Sequence, residues 1–501
     1  MIKFLFQMTM PGDVTFNSDD SYFGGNLTAY VNNGTIPEAR VDDMATRILA
    51  AWYLLKQDSP SYPPTNFDAF KPDSEETNEH IDVQGDHADV VRKIGAASTV
   101  LLKNNKNGGG GLPLTGKERR IFLAGSDAGP PSIGPNGIKD QGGLEDGILA
   151  MGWGSGTANF TYLISATIQQ RARKHRTSVS WSFDDFNLTR AGNIAIKQSA
   201  AIVFIASDSG EQYINYDDNE GDRKNLTAWH NGDDLVLAVA AQNNNTIVVV
   251  NSVGPLIIEP WIGHPNVTAV LWAGLQGNEA GNAITDVLYG DWNPSGKLPY
   301  TIAKNQEDYA TGLVLGGAQQ DILAIPYAEG LQIDYRHFDA NNIEPRFEFG
   351  FGLSYTDWEY SDLAISAVPS PDGTYADLET AWARGEPSPS GVGSSAAIWL
   401  HRPAFKATFN IQNTGGVYGA EISELYLEFP KSSGEPPRVL RGFEHTMAQP
   451  GESKAVEITL SRYDLSIWDV QAQGWRKPDG NIGVAVGRSS RDVRVNGAAP
   501  V

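Results

Sequence analysis

The chain has 501 residues, 41% hydrophobic and 20% charged, which is enough apolar material for several domains with separate cores. Its 38 Lys and Arg against 60 Asp and Glu leave a net charge of −22, which repels nucleic acid and anionic membranes and argues against both as partners. Cysteine is absent, which excludes disulfide and thiolate chemistry, and the eight histidines form no i, i+4 pair, so neither a metal nor a cofactor is expected.

The first residues, MIKFLFQMTMPGD, hold one lysine and an apolar patch too short for a signal-peptide core, with no small-residue cleavage site. No run approaches the length of a transmembrane helix. Residues 1–56 continue with a Gly/Asn-rich loop and a helical pattern in which Pro37 opens the helix and Val41, Met44, Ile48, Ala51 and Leu54 form the apolar stripe. Alone this segment is too small to bury a core. Residues 57–86, rich in Pro, Asp, Glu and Asn, read as a linker.

Residues 87–302 alternate strand and helix. A helix is expected over Ala88–Lys103, strands over Ile121–Ala124, Ala200–Ala206, Thr246–Val253 and Val267–Ala273, and helices over Asp233–Gln242 and Asn278–Leu288. This spacing predicts a parallel sheet covered on both faces. Gly111-x4-Gly116-Lys117 imitates a phosphate-binding loop, but Glu118 replaces the Ser/Thr that would hold magnesium, Pro113 stiffens the loop, and a strand follows instead of preceding it. Residues 303–349 are a connector. From Gly350 to Val501 the signals are all-β, with a Pro/Ser/Gly-rich, flexible insertion expected at about 368–397. FKATFNIQNTGG, EISELYLEF, KAVEITL and NIGVAVG alternate apolar and polar residues between turns, as in a β-sandwich.

Two stretches carry candidate chemistry. Ser207–Trp229, SDSGEQYINYDDNEGDRKNLTAW, follows the all-apolar run Ala200–Ala206 and is crowded with carboxylates, aromatics and amides. Ligands of open α/β sheets bind outside the carboxyl ends of the strands. Carboxylates beside aromatic rings suit a sugar site, and a solvated acidic loop is the plainer alternative. In GWGSG, Gly152–Gly156, glycines permit close approach to a ligand, Ser155 offers a hydroxyl and Trp153 a stacking face; a buried tryptophan at a tight turn fits the string equally well. Asn26, Asn33, Asn159, Asn187, Asn225, Asn244 and Asn266 each begin Asn-x-Thr, which favours a glycosylated, secreted protein.

The strings MPGDVTF, LAMGWGSGTANF, SDSGEQYINYDDNEGDRKNLTAWHNGD, TIVVVNSVGP, NVTAVLWAGLQGNEAGNAITDVLYG, FEFGFGLSYT and LSIWDVQAQGW resemble fungal β-glucosidases of glycoside hydrolase family 3, in the family's order and over almost the whole chain. The resemblance implies an α/β sandwich domain (87–302) followed by a fibronectin type III-like β-sandwich (350–501). Before them, 1–56 would be a remnant of the end of a TIM-like barrel. It implies a retaining mechanism in which a barrel aspartate in a Ser-Asp-Trp motif attacks the anomeric carbon. A glutamate of the sandwich domain protonates the leaving oxygen and then activates water. On the matching positions, Glu211 is that acid/base, Tyr213 and Phe16 flank the leaving-group subsite, and Ser155, with Trp153 beside it, lines the glucose pocket. Glu220 is the alternative acid, its plainer role being a surface carboxylate paired with Arg223.

Departures from the family pattern bear on activity. No Ser-Asp-Trp occurs in the chain; Gln7 stands where the family usually has an acid, Gln212 replaces a glycine, and the paired cysteines usual near Gly137–Gly143 are missing. The expectation is therefore a β-glucosidase-type chain without its nucleophile, inactive alone, extracellular in its full-length form. β-Linked glucosides are its expected ligands, and self-association through a barrel-facing surface is expected. A non-catalytic carbohydrate-binding or interaction protein is the alternative.

Overall fold

The computed structural model describes residues 24–68, 71, 74–106, 110–131, 147–152, 162–210, 215–216, 219–314, 325–369, 373–391 and 394–500. The chain divides into two compact units, one of Met1–Val83 with Pro389–Ala397, the other of Gln84–Ser388 with Ile398–Val501. In the first, Pro37 precedes a helix over Glu38–Leu54, as its fixed φ favours. None of that helix is buried: Ile48 of the expected stripe is 54% exposed and Leu54 80%.

The second unit holds a six-stranded sheet. Its strands are β1 (Val100–Asn104), β2 (Arg120–Ala124), β3 (Ser178–Ser182) and β4 (Ala200–Ser207), then β7 (Thr246–Ser252) and β8 (Val267–Trp272), in the order β1-β8-β7-β4-β2-β3. Between β4 and β7 the chain makes the short antiparallel pair β5 (Asn215–Tyr216) and β6 (Asn219–Glu220). Five strands of the large sheet are parallel: β2, β4, β7 and β8, as their apolar runs foretold, and the edge strand β3, SVSWS, which has no such run and was not expected; β1 is antiparallel to β8. Its residues belong to the helix expected over Ala88–Lys103, which instead stops at Ser98. Thr99 turns extended with its hydroxyl on the Gly95 carbonyl (2.8 Å), and the β-branched pair Thr99–Val100 opens the strand.

Each face of the sheet has its own core. Ile121, Leu123, Ile202, Phe204, Ile247 and Val249 pack against the helices Ile164–Lys174 and Ala280–Leu288. Phe122, Val203, Ile205, Val248 and Val250 face the helices Leu188–Ala195 and Gly232–Ala240. Alternation along β2, β4 and β7 sends successive side chains to opposite cores, so these inner strands keep no solvated face, unlike the edge strand β3. The phosphate-loop look-alike is a turn: Glu118 accepts the Thr115 amide (2.8 Å) and hydroxyl (2.9 Å), and a Cβ on Gly116 would sit 2.6 Å from the His175 ring.

The sandwich follows. β9 (Trp358–Ala367), β10 (Pro403–Asn413) and β13 (Ser453–Ser461) form one sheet; β11 (Gly419–Glu428), β12 (Val439–Ala448), β16 (Gly483–Gly487) and β17 (Val493–Ala498) form the other. A hairpin of β14 (Ile467–Asp469) and β15 (Gly474–Arg476) completes it. The insertion expected to be flexible carries a helix, Ala376–Ala383, whose buried Trp382 donates to the Ser466 hydroxyl at 2.8 Å.

Where the α/β sheet meets the sandwich lies a buried polar cluster. Glu421 accepts from Lys297 (3.3 Å), Arg488 (3.3 Å) and the Tyr360 hydroxyl (3.0 Å). Beside it Glu424 takes the Tyr426 hydroxyl and lies so close to Gly350, which has φ +79°, that a Cβ there would come within 2.2 Å of Oε2. Burial raises the Glu424 carboxyl to about 7, against the pull of the Tyr426 hydroxyl and Lys297.

Candidate active site

The carboxyl ends of β2, β4 and β7 are where a parallel sheet offers backbone groups and side chains to a ligand. After β4 the chain is pinned repeatedly. Ser207 accepts Arg223 Nη1 (3.1 Å), Ser209 Oγ accepts the Arg223 amide (3.0 Å), and Arg223 Nη2 reaches the Pro255 carbonyl (3.1 Å). Gly210 N–H donates to Gly221 O (3.2 Å), closing a neck around residues 211–220. Asn219 Nδ2 bonds Gly221 O (2.7 Å), and Trp229 N–H returns to Ala206 O (2.9 Å). Arg223 is thus held by neutral acceptors, and burial draws its pKa down. The expected pairing with Glu220 is not formed: Glu220 is exposed on β6, and the guanidinium is turned toward Ser207 and Pro255. Two neutral acceptors at fixed distance outcompete a solvated carboxylate.

A second segment, 147–152, crosses the same end of the sheet. Ile148 N–H donates to Gly129 O (3.2 Å), Leu149 N–H to Asp127 Oδ1 (2.8 Å), and Ala150 O accepts Gly277 N–H (3.0 Å). Gly152 ends it in a close approach, where a Cβ would lie 2.3 Å from Val253 Cγ1 and 2.7 Å from Asp208 Oδ1. Any larger residue there would force the Val253 and Asp208 side chains to shift.

Buried polar groups gather below these segments. Asp127 sits in the one-turn helix Ser126–Ala128 after β2, and burial lifts its carboxyl to about 8. Asp185 accepts the Ser126 amide (2.8 Å) and hydroxyl, and burial raises it too. Asn251, at the end of β7, is fully buried with neither amide atom bonded, and Asp208 is buried at the end of β4. Such groups at one sheet end are unusual away from function.

Glu211, Tyr213, Trp153, Ser155, Phe16 and Asn159 lie outside the described residues. Sequence reasoning missed Asp127, Asp208 and Asn251; Asp208 directly follows β4 and Asn251 lies at the end of β7, which was the available signal for these two, whereas Asp127 comes three residues after β2. The remaining sequons divide. Asn33, Asn187 and Asn225 are exposed with exposed threonines, and Asn26 lies exposed in a helix. Thr246 and Thr268, of the Asn244 and Asn266 sequons, are buried in β7 and β8. Among the described residues no group of three or more metal-ligating side chains occurs, and no helix is long and apolar enough to cross a membrane.

This fold, with its loop-covered sheet end, is that of glycoside hydrolase family 3, and the chain belongs to that family. Residues 99–355 match the Glycosyl hydrolase family 3 C-terminal domain and residues 421–490 a Fibronectin type III-like domain. Among individual proteins, the chain is 47% identical over 498 residues to probable beta-glucosidase L of Aspergillus terreus, covering 99% of this chain and 64% of the relative. Beta-glucosidase 1 of Aspergillus aculeatus is 40% identical, over 98% of this chain and 65% of its own length. The crystal structure of beta-D-glucoside glucohydrolase from Trichoderma reesei superposes with a TM-score of 0.81 at 42% identity, over 98% of this chain and 64% of that one. The chain therefore spans about two thirds of the length of these relatives.

Proposed function

We propose that the chain is the acid/base-bearing part of a β-glucosidase that releases glucose from the non-reducing end of β-glucosides with retention. The observation that carries this reading is the closed neck between Gly210 and Gly221 at the carboxyl end of β4. It anchors the chain immediately before Glu211, beside the segment that leads into Trp153. In this reading Glu211 protonates the glycosidic oxygen as the bond to the anomeric carbon breaks, then takes a proton from the water that releases glucose. Tyr213 and Phe16 flank the leaving group, and Ser155 and Trp153 line the glucose site. Secretion and glycosylation belong to the same proposal.

A retaining reaction needs a second carboxylate as nucleophile, and no Ser-Asp-Trp is present among the 501 residues. The purified chain is expected to leave 4-nitrophenyl β-glucoside intact, and steady turnover would refute this. Supplied with the barrel of a relative, it should gain activity that Glu211→Ala removes for substrates with poor leaving groups. Azide should rescue that variant and yield β-glucosyl azide; Glu220→Ala should do neither. Rescue at Glu220 would move the acid/base assignment there.

Exposed Val90, Ile94, Tyr162 and Leu275 support self-association of the chain through apolar surface. Sedimentation that stays monomeric across a wide concentration range would rule it out.

A further inference from the structure

Among the buried titratable groups that this mechanism leaves unused, Asp127 stands apart. It is 1% exposed, and among the described residues it makes no ion pair and Oδ2 has no hydrogen-bond partner. Among them its one bond is the Leu149 amide on Oδ1, at 2.8 Å. The charged groups facing it are Asp185, on the segment after β3, and His230, on the segment that closes the β4 loop; the first disfavours a negative charge at Asp127 and the second favours it. Ser126, next to it, is taken by Asp185. A carboxyl so placed does little as a charge. Its contribution is an acceptor for a buried amide that would otherwise be orphaned.

That amide lies in the segment crossing the sheet end. Besides the Asp127 bond, residues 148–152 are tied by Ile148 N–H to Gly129 O and by Gly277 N–H to Ala150 O, and they end where Gly152 touches Asp208 and Val253. We propose that Asp127 is a positioning residue for the candidate active site, its Oδ1 fixing Leu149 and with it the path of residues 148–152 over the carboxyl ends of β2, β4 and β7. The importance of that path for a sugar rests on the function proposed above. The anchoring itself does not.

Asparagine would accept the same amide, so what aspartate adds is ionisation. As pH rises, a charge must form in a site with a second carboxyl nearby, and opening the segment to water relieves it. Below that range the anchor holds.

Amide hydrogen exchange on the full chain tests this, read peptide by peptide from about pH 5 to 9 and corrected for intrinsic rates. Asp127→Leu removes the acceptor and should speed exchange in peptides spanning 147–152 by about tenfold, the equivalent of one hydrogen bond, leaving β4 and β7 unchanged. Asp127→Asn should restore protection. The wild type should lose protection at 147–152 above about pH 8, and Asp127→Asn should keep it. A purely structural role would not separate wild type from the asparagine variant by pH. Identical pH profiles for these two would overturn the proposal, as would unchanged local exchange in Asp127→Leu. Should the leucine variant not fold, the first comparison decides alone. D-Glucose added to the wild type reads the sugar site separately: no slowing at 147–152 counts against the glucoside reading and leaves the Asp127 result intact.

Discussion

Asn33 and Asn225 show how one side chain's hydrogen bonds decide what a motif can do. Asn33 Oδ1 accepts the Thr35 amide (2.9 Å), and Asn225 Oδ1 accepts the Thr227 amide (3.2 Å) and hydroxyl (2.8 Å), in exposed turns. Asn187 caps a helix through the Arg190 amide (3.1 Å) and is exposed as well. Asn266 instead donates Nδ2, the atom a glycan would occupy, to Ala240 O (2.8 Å), and Thr268 is bonded to Asn245 (2.7 Å). Glycopeptide mass spectrometry of the chain expressed behind a secretion signal is expected to find Asn33, Asn187 and Asn225 occupied, and Asn244 and Asn266 bare. The triplets are indistinguishable in sequence because the deciding property, whether the threonine starts a buried strand, is tertiary. Asp127 was illegible for a related reason. An aspartate after a strand reads as a turn residue until its amide partner, 22 positions later, is known.

At the scale of elements, the buried parallel strands were legible because an all-apolar run of strand length has one easy interpretation in an α/β chain. β1 was not, since its pattern continues that of the preceding helix and only pairing with β8 separates them. Nor was β12, whose residues are largely exposed or half-buried and lack a clean alternation. The helix in the insertion was hidden by its Pro- and Ser-rich surroundings, yet Trp382 seats it. Trp382→Ala should cost about 3–5 kcal/mol in denaturant unfolding, the usual range for a buried aromatic truncated to alanine. A loss below about 1 kcal/mol would show that the helix is an ornament on the sandwich.

For the molecule as a whole, buried carboxyls set the direction of the pH response: Asp185, Asp233, Asp339 and Glu435 are raised by burial, and Asp127 and Glu424 are raised furthest. Burial pushes Asp127 up to about 8 and Glu424 up to about 7, both above their unfolded values. With folded pKa above unfolded pKa, the unfolded chain releases its proton first. The contribution of these two carboxyls to stability is then full below about pH 4 and lost as pH climbs through the folded values. Removal of a net charge of −22 at acid pH acts in the same direction. The melting temperature is expected to fall between about pH 5 and 8, and Glu424→Gln should make the fall shallower by removing on the order of 3 kcal/mol from the pH-dependent loss of unfolding free energy. A melting temperature that rises over this interval would contradict the assignment. The carboxyls shifted downward, Asp362, Glu452 and Asp469, are on the surface and do not reverse the trend.

The antiparallel edge strand also fixes a timetable. β1 leaves the ribosome well before its partner β8, which begins at Val267, and its outer edge is closed only when Leu353 N–H reaches Leu101 O (2.9 Å). Until then Val100, Leu101 and Leu102 are a nascent segment with an unpaired ladder, the kind that chaperones hold and aggregates recruit. Ribosome-bound chains stalled with Leu353 still in the exit tunnel should be cut by protease within residues 100–104, and those stalled well beyond it should resist. The production of this protein would then be limited less by its finished stability than by how long one edge strand must wait for the neighbour that pairs with it.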